Sequence, residues 1–214
     1  MSVREASPPT EPRFYAGPLP LRPRGSGLAR ALLRLAGWRL DFDGLPGRQG
    51  VILVYPHTSN WDFVIGVLAK WALGLELRFW AKDSLFRLPL FGTWLRWVGG
   101  IAVARGSSRG LAGGTAARMS EARERDELFW LAVAPEGTRS LAPGWRSGAY
   151  HVAVQAGVPA GLAYFDFATR TVGLTRFALF SGDPEADFAL VAAVYAGRRG
   201  RRPELQSPVR LHKV

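Results

Sequence analysis

His57 and Asp62 stand five residues apart at the end of Val51-Ile52-Leu53-Val54-Tyr55-Pro56-His57-Thr58-Ser59-Asn60-Trp61-Asp62. A neutral imidazole can take a proton from a hydroxyl when a partner on its second ring nitrogen fixes its tautomer and orientation. A carboxylate one turn away is such a partner, and it also stabilises the imidazolium that forms. On a regular helix, residues five apart sit roughly 140° apart around the axis. The pair can therefore meet only if His57 lies in a turn before the helix, as Pro56 favours. Chance alone would produce this spacing roughly 0.1 times in such a chain. The competing reading is a loop histidine and an aspartate placed by the dipole of a helix N-terminus.

A second motif, Pro135-Glu136-Gly137-Thr138-Arg139-Ser140, is far more specific. By composition the tetrad Glu-Gly-Thr-Arg would arise roughly 0.005 times. Arg105 and Arg139 each stand at or just past the end of an expected parallel strand, the edge at which α/β sheets place ligands. Guanidinium groups match phosphate oxygens two at a time, so Arg105, Arg139 and Lys82 form a credible phosphate clamp. Glu136 could bond a glycerol hydroxyl or hold Arg139. Gly137 allows a ligand to approach the backbone where a Cβ would prevent it.

Together these motifs resemble the glycerolipid acyltransferases, the family that includes the lysophosphatidate acyltransferases. Ala81-Lys82-Asp83-Ser84-Leu85-Phe86 with Pro89-Leu90 and Gly92, Gly100-Ile101-Ala102-Val103-Ala104-Arg105, and Val158-Pro159 are similar to other blocks of that family. The resemblance covers roughly residues 38 to 167. Departures occur at Pro56, Ala104 and the stretch Ala160-Gly161-Leu162-Ala163. The resemblance implies O-acyl transfer from an acyl thioester, of coenzyme A or acyl carrier protein, to a hydroxyl of a lysophospholipid such as lysophosphatidate. His57 would be the general base and Asp62 its orienter. Lys82, Arg105, Glu136, Gly137, Thr138 and Arg139 would bind substrate. Neither a metal nor a cofactor beyond the thioester co-substrate is implied.

Length and composition fit one globular domain: 214 residues, 48% hydrophobic and 21% charged. The absence of cysteine excludes disulfides and thiolate metal sites, and His57, His151 and His212 are too scattered for a histidine-rich zinc site. A net charge of +11 calls for an anionic partner. Tryptophans beside cations, as in Trp94-Leu95-Arg96-Trp97, favour an anionic membrane surface over a nucleic-acid backbone. No nucleic-acid-binding signature is present.

Strands alternate with helices along the chain, which predicts an α/β sandwich: a mostly parallel central sheet flanked by helices. Strands are expected at 38–43, 51–55, 77–81, 101–104, 128–134, 159–167 and 170–174. Helices are expected at 28–38, 60–73, 88–97, 147–156 and 184–196, with a further helix ahead of residue 125. Residues 105–110 read as a loop. Residues 1–27, rich in Pro, Gly, Ser and Arg, read as a flexible arm, 28–197 as the acyltransferase domain, and 198–214 as a basic tail. Leu28–Trp38 carries Arg30 and Arg34 on one face and fits either an interfacial anchor or a core-packing helix. No apolar run reaches the roughly 18 residues of a spanning helix, and no signal-type h-region opens the chain. The expected location is cytoplasmic, peripheral to the inner face of the membrane.

Two other functions fit parts of the pattern. Gly106-Ser107-Ser108-Arg109-Gly110 contains G-x-S-x-G after a predicted strand, the context of a nucleophile elbow, with Ser108 as nucleophile and His151 or His212 as base. Chance supplies that pattern roughly 0.16 times, and Leu111-Ala112-Gly113-Gly114 is a poor helix start. A non-catalytic basic protein binding anionic lipid or nucleic acid would explain the charge, but not the ordered blocks.

Overall fold

In the computed structural model the described residues are 9–103 and 108–212. Eight strands form one sheet: β1 (Arg13–Phe14), β2 (Arg39–Phe42), β3 (Gln49–Tyr55), β4 (Leu77–Lys82), β5 (Gly100–Val103), β6 (Phe129–Val133), β7 (Ala160–Asp166) and β8 (Thr171–Leu179). Their order is β1-β8-β7-β3-β6-β4-β5, with β2 also beside β8. β7, β3, β6, β4 and β5 run parallel, while β8 turns back antiparallel to β7. The expected mostly parallel α/β architecture is the observed one.

β3 lies at the centre because it is apolar on both faces. Val51, Leu53 and Tyr55 enter a core built with α4 (Ser108–Glu124), α5 (Gly148–Ala156) and α6 (Pro184–Tyr195). Ile52 and Val54 point to the other face, where they join cores formed with α1 (Gly27–Leu35), α2 (Asn60–Leu73) and the residues around β1 and β2. The short α3 (Phe91–Trp97) leans on α2, with Trp94 against Phe63 and Trp97 against Trp71.

Three stretches differ from the sequence expectation. The N-terminal arm is pinned from its described start onward: β1 pairs with β8, Leu21 bridges Leu45, and the Ser26 N–H donates to the Trp71 carbonyl at 2.7 Å. Residues 198–212 are no free tail. They lie across the carboxyl edge of the sheet and end in a bridge between Leu211 and Trp145. Helix α4 begins at Ser108, inside the expected loop, and runs through Gly110, Gly113 and Gly114. Tertiary packing overrides propensity there, since Ala112, Ala116, Met119 and Ala122 recur on one face and are all buried.

Gly113 and Gly114 face solvent, and a Cβ at either would meet no atom within 4 Å. Neither position needs glycine for space. Gly113→Ala and Gly114→Ala should therefore each stabilise the protein by about 0.5–1 kcal/mol. A rise in the denaturant midpoint at unchanged slope is the measurement that checks this.

Candidate active site

The carboxyl ends of β3 and β6 are neighbours, which brings His57 and Glu136 of the Pro135–Arg139 turn together across 79 residues of sequence. His57 sits in the turn after β3. Its Nδ1 lies 3.2 Å from Asp62 Oδ2, with the His57 side chain 17% exposed and that of Asp62 1%. Asp62 is fixed from two directions, because the same Oδ2 accepts the Ser59 N–H at 2.8 Å. Ser59 in turn caps α2 through the Trp61 N–H, completing a capping box with Asp62. Both sequence readings of Asp62 thus hold at once: it starts a helix and orients an imidazole. Its Oδ1 is buried without a partner among the described residues, the cost of holding a carboxylate beside a histidine.

Among the described residues the Glu136 partners are backbone groups, and it forms no ion pair with Arg139. It is buried, and both carboxylate oxygens are used by backbone: Oε2 accepts the His57 N–H at 2.6 Å and Oε1 the Ser207 N–H at 2.9 Å. Burial pushes this carboxyl above its ordinary range, and the two N–H donors pull it partly back. It is a positioning residue that ties the turn after β3 to the C-terminal segment. Gly137, with φ +65°, carries the Arg146 side chain across its open face; a Cβ would fall 2.6 Å from Arg146 Cδ. The Arg146 backbone is held there by donation to the Pro135 carbonyl at 2.8 Å. Thr138 Oγ1 accepts the Ser140 N–H at 3.2 Å, closing the turn.

Arg139 and Lys82 are exposed on the same sheet edge, Arg139 past the end of β6 and Lys82 at the end of β4. Arg105 lies outside the described residues. Ser108 is the first residue of α4, and its side chain too lies outside them. His151 and His212 are exposed and have no carboxylate partner among the described residues, unlike His57. No three His, Asp or Glu side chains converge on a metal-sized point among the described residues.

Sequence reasoning missed the C-terminal contribution. Thr58 is buried and accepts the Arg202 N–H at 3.1 Å. Tyr55, raised by burial and so kept a neutral donor, gives its hydroxyl to the Ser207 carbonyl at 3.0 Å. No local signal marks Ser207, and the arginine run before it reads as a solvated face. Arg146 carried no motif either.

The fold and site define an α/β sandwich with a carboxylate-oriented histidine at the carboxyl edge of its parallel strands and exposed cations on the same edge. Residues 40–160 match the Acyltransferase family, and the chain belongs to it. The 1-acyl-sn-glycerol-3-phosphate acyltransferases of Salmonella typhimurium and Escherichia coli (strain K12) are each 38% identical over 112 residues, 50% of this chain and 43% of theirs. The match spans less than half the length of those relatives. The crystal structure of the 1-acyl-sn-glycerophosphate acyltransferase PlsC from Thermotoga maritima aligns at a TM-score of 0.49 and 18% identity, over 78% of this chain and 73% of that one.

Glu136→Ala would strip two buried N–H groups of their acceptor. We expect a loss of about 2–3 kcal/mol in unfolding free energy. Glu136→Asp, too short to reach both donors, should recover only part of it. A Glu136→Ala protein as stable as wild type in chemical denaturation would show that the bridge contributes nothing.

Proposed function

We propose that the protein is an O-acyltransferase that moves a fatty acyl group from an acyl thioester to a hydroxyl of a lysophosphatidate-type acceptor. The observation that carries this reading is the 3.2 Å contact of His57 Nδ1 with the buried Asp62, at the carboxyl edge of the parallel strands, where α/β sheets place ligands. With Nδ1 engaged, Nε2 is the free acceptor for a proton. The acceptor hydroxyl gives its proton to Nε2 as its oxygen attacks the thioester carbonyl. The tetrahedral intermediate collapses by breaking the carbon–sulfur bond, and the imidazolium returns the proton to the departing thiolate. Asp62 holds the imidazole in the required tautomer throughout. Lys82 and Arg139, exposed at this edge, bind the acceptor phosphate, and the motif of Arg105 gives it the same role. The donor is the thioester of coenzyme A or of acyl carrier protein.

Transfer is direct, through a ternary complex. Among the described residues the two hydroxyls nearest the base are otherwise engaged, Thr58 by the Arg202 N–H and Ser59 as the cap of α2. His57→Ala should abolish nearly all transfer and Asp62→Asn should cost orders of magnitude. Ser108→Ala should stay active, and no acyl mass should remain on protein incubated with a labelled thioester alone. A tenth of wild-type activity in His57→Ala would overturn the assignment of the base. A stoichiometric adduct on Ser108 would favour the hydrolase reading instead.

The protein works at the inner face of the membrane as a peripheral enzyme. No helix among the described residues is long and apolar enough to cross a bilayer. Helix α1 presents two stripes: Ala29 and Leu33 enter the core, while Leu28, Leu32 and Leu35 face outward, Leu35 at 85% exposure. Val64 of α2 and Leu90, Phe91 and Trp97 around α3 are exposed on the same side of the sheet. Arg30 is partly tied down by the Ala72 carbonyl, which leaves Arg34 and the net charge of +11 to meet anionic headgroups. The protein should sediment with vesicles containing phosphatidylglycerol, be released by salt, and lose binding in Leu32→Glu/Leu35→Glu. Equal binding to neutral and anionic vesicles would count against this placement.

A further inference from the structure

Acyl transfer as derived above leaves two arginines beside the site without a role. Residues 198–207 cross the carboxyl edge of the sheet from β7, over β3, to the turn after β6. The Phe167 N–H donates to the Arg199 carbonyl at 2.8 Å, the Arg202 N–H to Thr58 Oγ1 at 3.1 Å, and the Ser207 N–H to Glu136 at 2.9 Å. Gln206 binds the segment to itself, taking the Gly200 N–H at 2.8 Å and donating to the Arg198 carbonyl at 3.0 Å. Gly200 packs so closely that a Cβ would fall 2.6 Å from Thr58 Oγ1. A backbone fixed at this many points holds its side chains in place.

Arg198 spends its charge on Asp166, 3.7 Å away, and on the Tyr164 ring. Arg201 and Arg202 do not. Both are exposed, and neither has a carboxylate partner among the described residues. Arg201 lies over the ring of Trp61, 5.6 Å from its centroid, and Trp61 directly precedes Asp62. Arg202 is anchored on Thr58, which directly follows His57. These two cations belong to β3 and the first turn of α2, whereas Lys82 and Arg139 follow β4 and β6. The exposed cations at this edge thus fall into two sets carried by different segments.

Direct transfer brings two phosphate-bearing substrates to one imidazole: an acceptor with a phosphomonoester, and a donor whose thioester hangs from a phosphopantetheine arm. One clamp cannot hold both, because the hydroxyl and the thioester must approach from different directions. We infer that Arg201 and Arg202 bind the phosphates of the phosphopantetheine-linked donor, leaving the acceptor phosphate to Lys82 and Arg139. This inference rests on the proposed acyl transfer. It lies outside residues 40–160, the span of the family match.

The test uses the full chain and Arg201→Ala/Arg202→Ala. Both side chains are exposed and the anchoring bonds are made by backbone, so the variant should fold. With acceptor saturating, its KM for donor should rise about tenfold, as expected for losing one charge-assisted contact. KM for acceptor should stay unchanged, and Arg201→Lys/Arg202→Lys should restore part of the loss. The rise should appear with acyl-CoA, whether or not it also appears with acyl carrier protein. A rise confined to the carrier protein would overturn the inference, because the arginines would then be reading a protein surface. An equal rise in acceptor KM, no change at all, or loss of vesicle binding would overturn it too. A second arm measures binding of coenzyme A alone to His57→Ala protein, with and without the arginine pair, and needs no turnover. Tight binding that depends on the arginines, while protein with His57 intact transfers to no acceptor, would sink the proposed function and leave the donor site standing. Normal transfer with arginine-independent donor binding would do the reverse.

Discussion

One carboxylate holds the site in register. Glu136 leaves the end of β6, turns inward, and takes an N–H from His57 on one oxygen and from Ser207 on the other. Three chain segments meet at that group: the turn after β3, the turn after β6 and the C-terminal segment. Burying a carboxylate is costly, and burial does push Glu136 toward its neutral form. The arrangement persists because both donors are backbone amides that would otherwise be buried without acceptors, so each side satisfies the other. No hydrophobic contact could set the imidazole's backbone with comparable direction, since dispersion is not directional.

Asp62 solves a related problem on the opposite side of the ring. A helix that begins immediately after the histidine needs an acceptor for its first free N–H groups, and a base needs an orienting carboxylate. Asp62 Oδ2 serves both, contacting Ser59 N–H and His57 Nδ1 at 2.8 and 3.2 Å. Catalytic geometry is thereby locked to helix geometry. Asp62 cannot leave the imidazole by a change of rotamer without giving up its part in the cap of α2, and α2 is held by the two cores that it shares with α1 and the sheet.

What the sequence made legible and what it concealed divide along a physical line. Periodicity and capping are local, so α2 was placed over residues 60–73 as observed, and β3, β4 and β6 fell within two residues of their ends. The His57–Asp62 pair was likewise legible, because five residues and a proline determine where the ring can go. Glu136 was identified as important, but its partners His57 N–H and Ser207 N–H were not foreseen, since a backbone N–H leaves no trace in residue type. Helix α4 was partly missed because its three glycines argue against a helix that buried Ala112, Ala116, Met119 and Ala122 impose. The arginine run at 198–202 looked like a solvated tail, and only a hydrogen bond across 144 residues, Arg202 to Thr58, shows that it belongs to the site.

The contribution of Ser207 has a consequence for the growing chain. The chain is synthesised from its N-terminal end. A nascent chain that has reached residue 197 already contains both motifs and every strand of the sheet, yet Glu136 then has one donor instead of two and Thr58 Oγ1 has none. The geometry around the base is finished only after the last strand has paired and residues 198–207 have closed over the edge. Maturation of the site is thus separated in time from formation of the core.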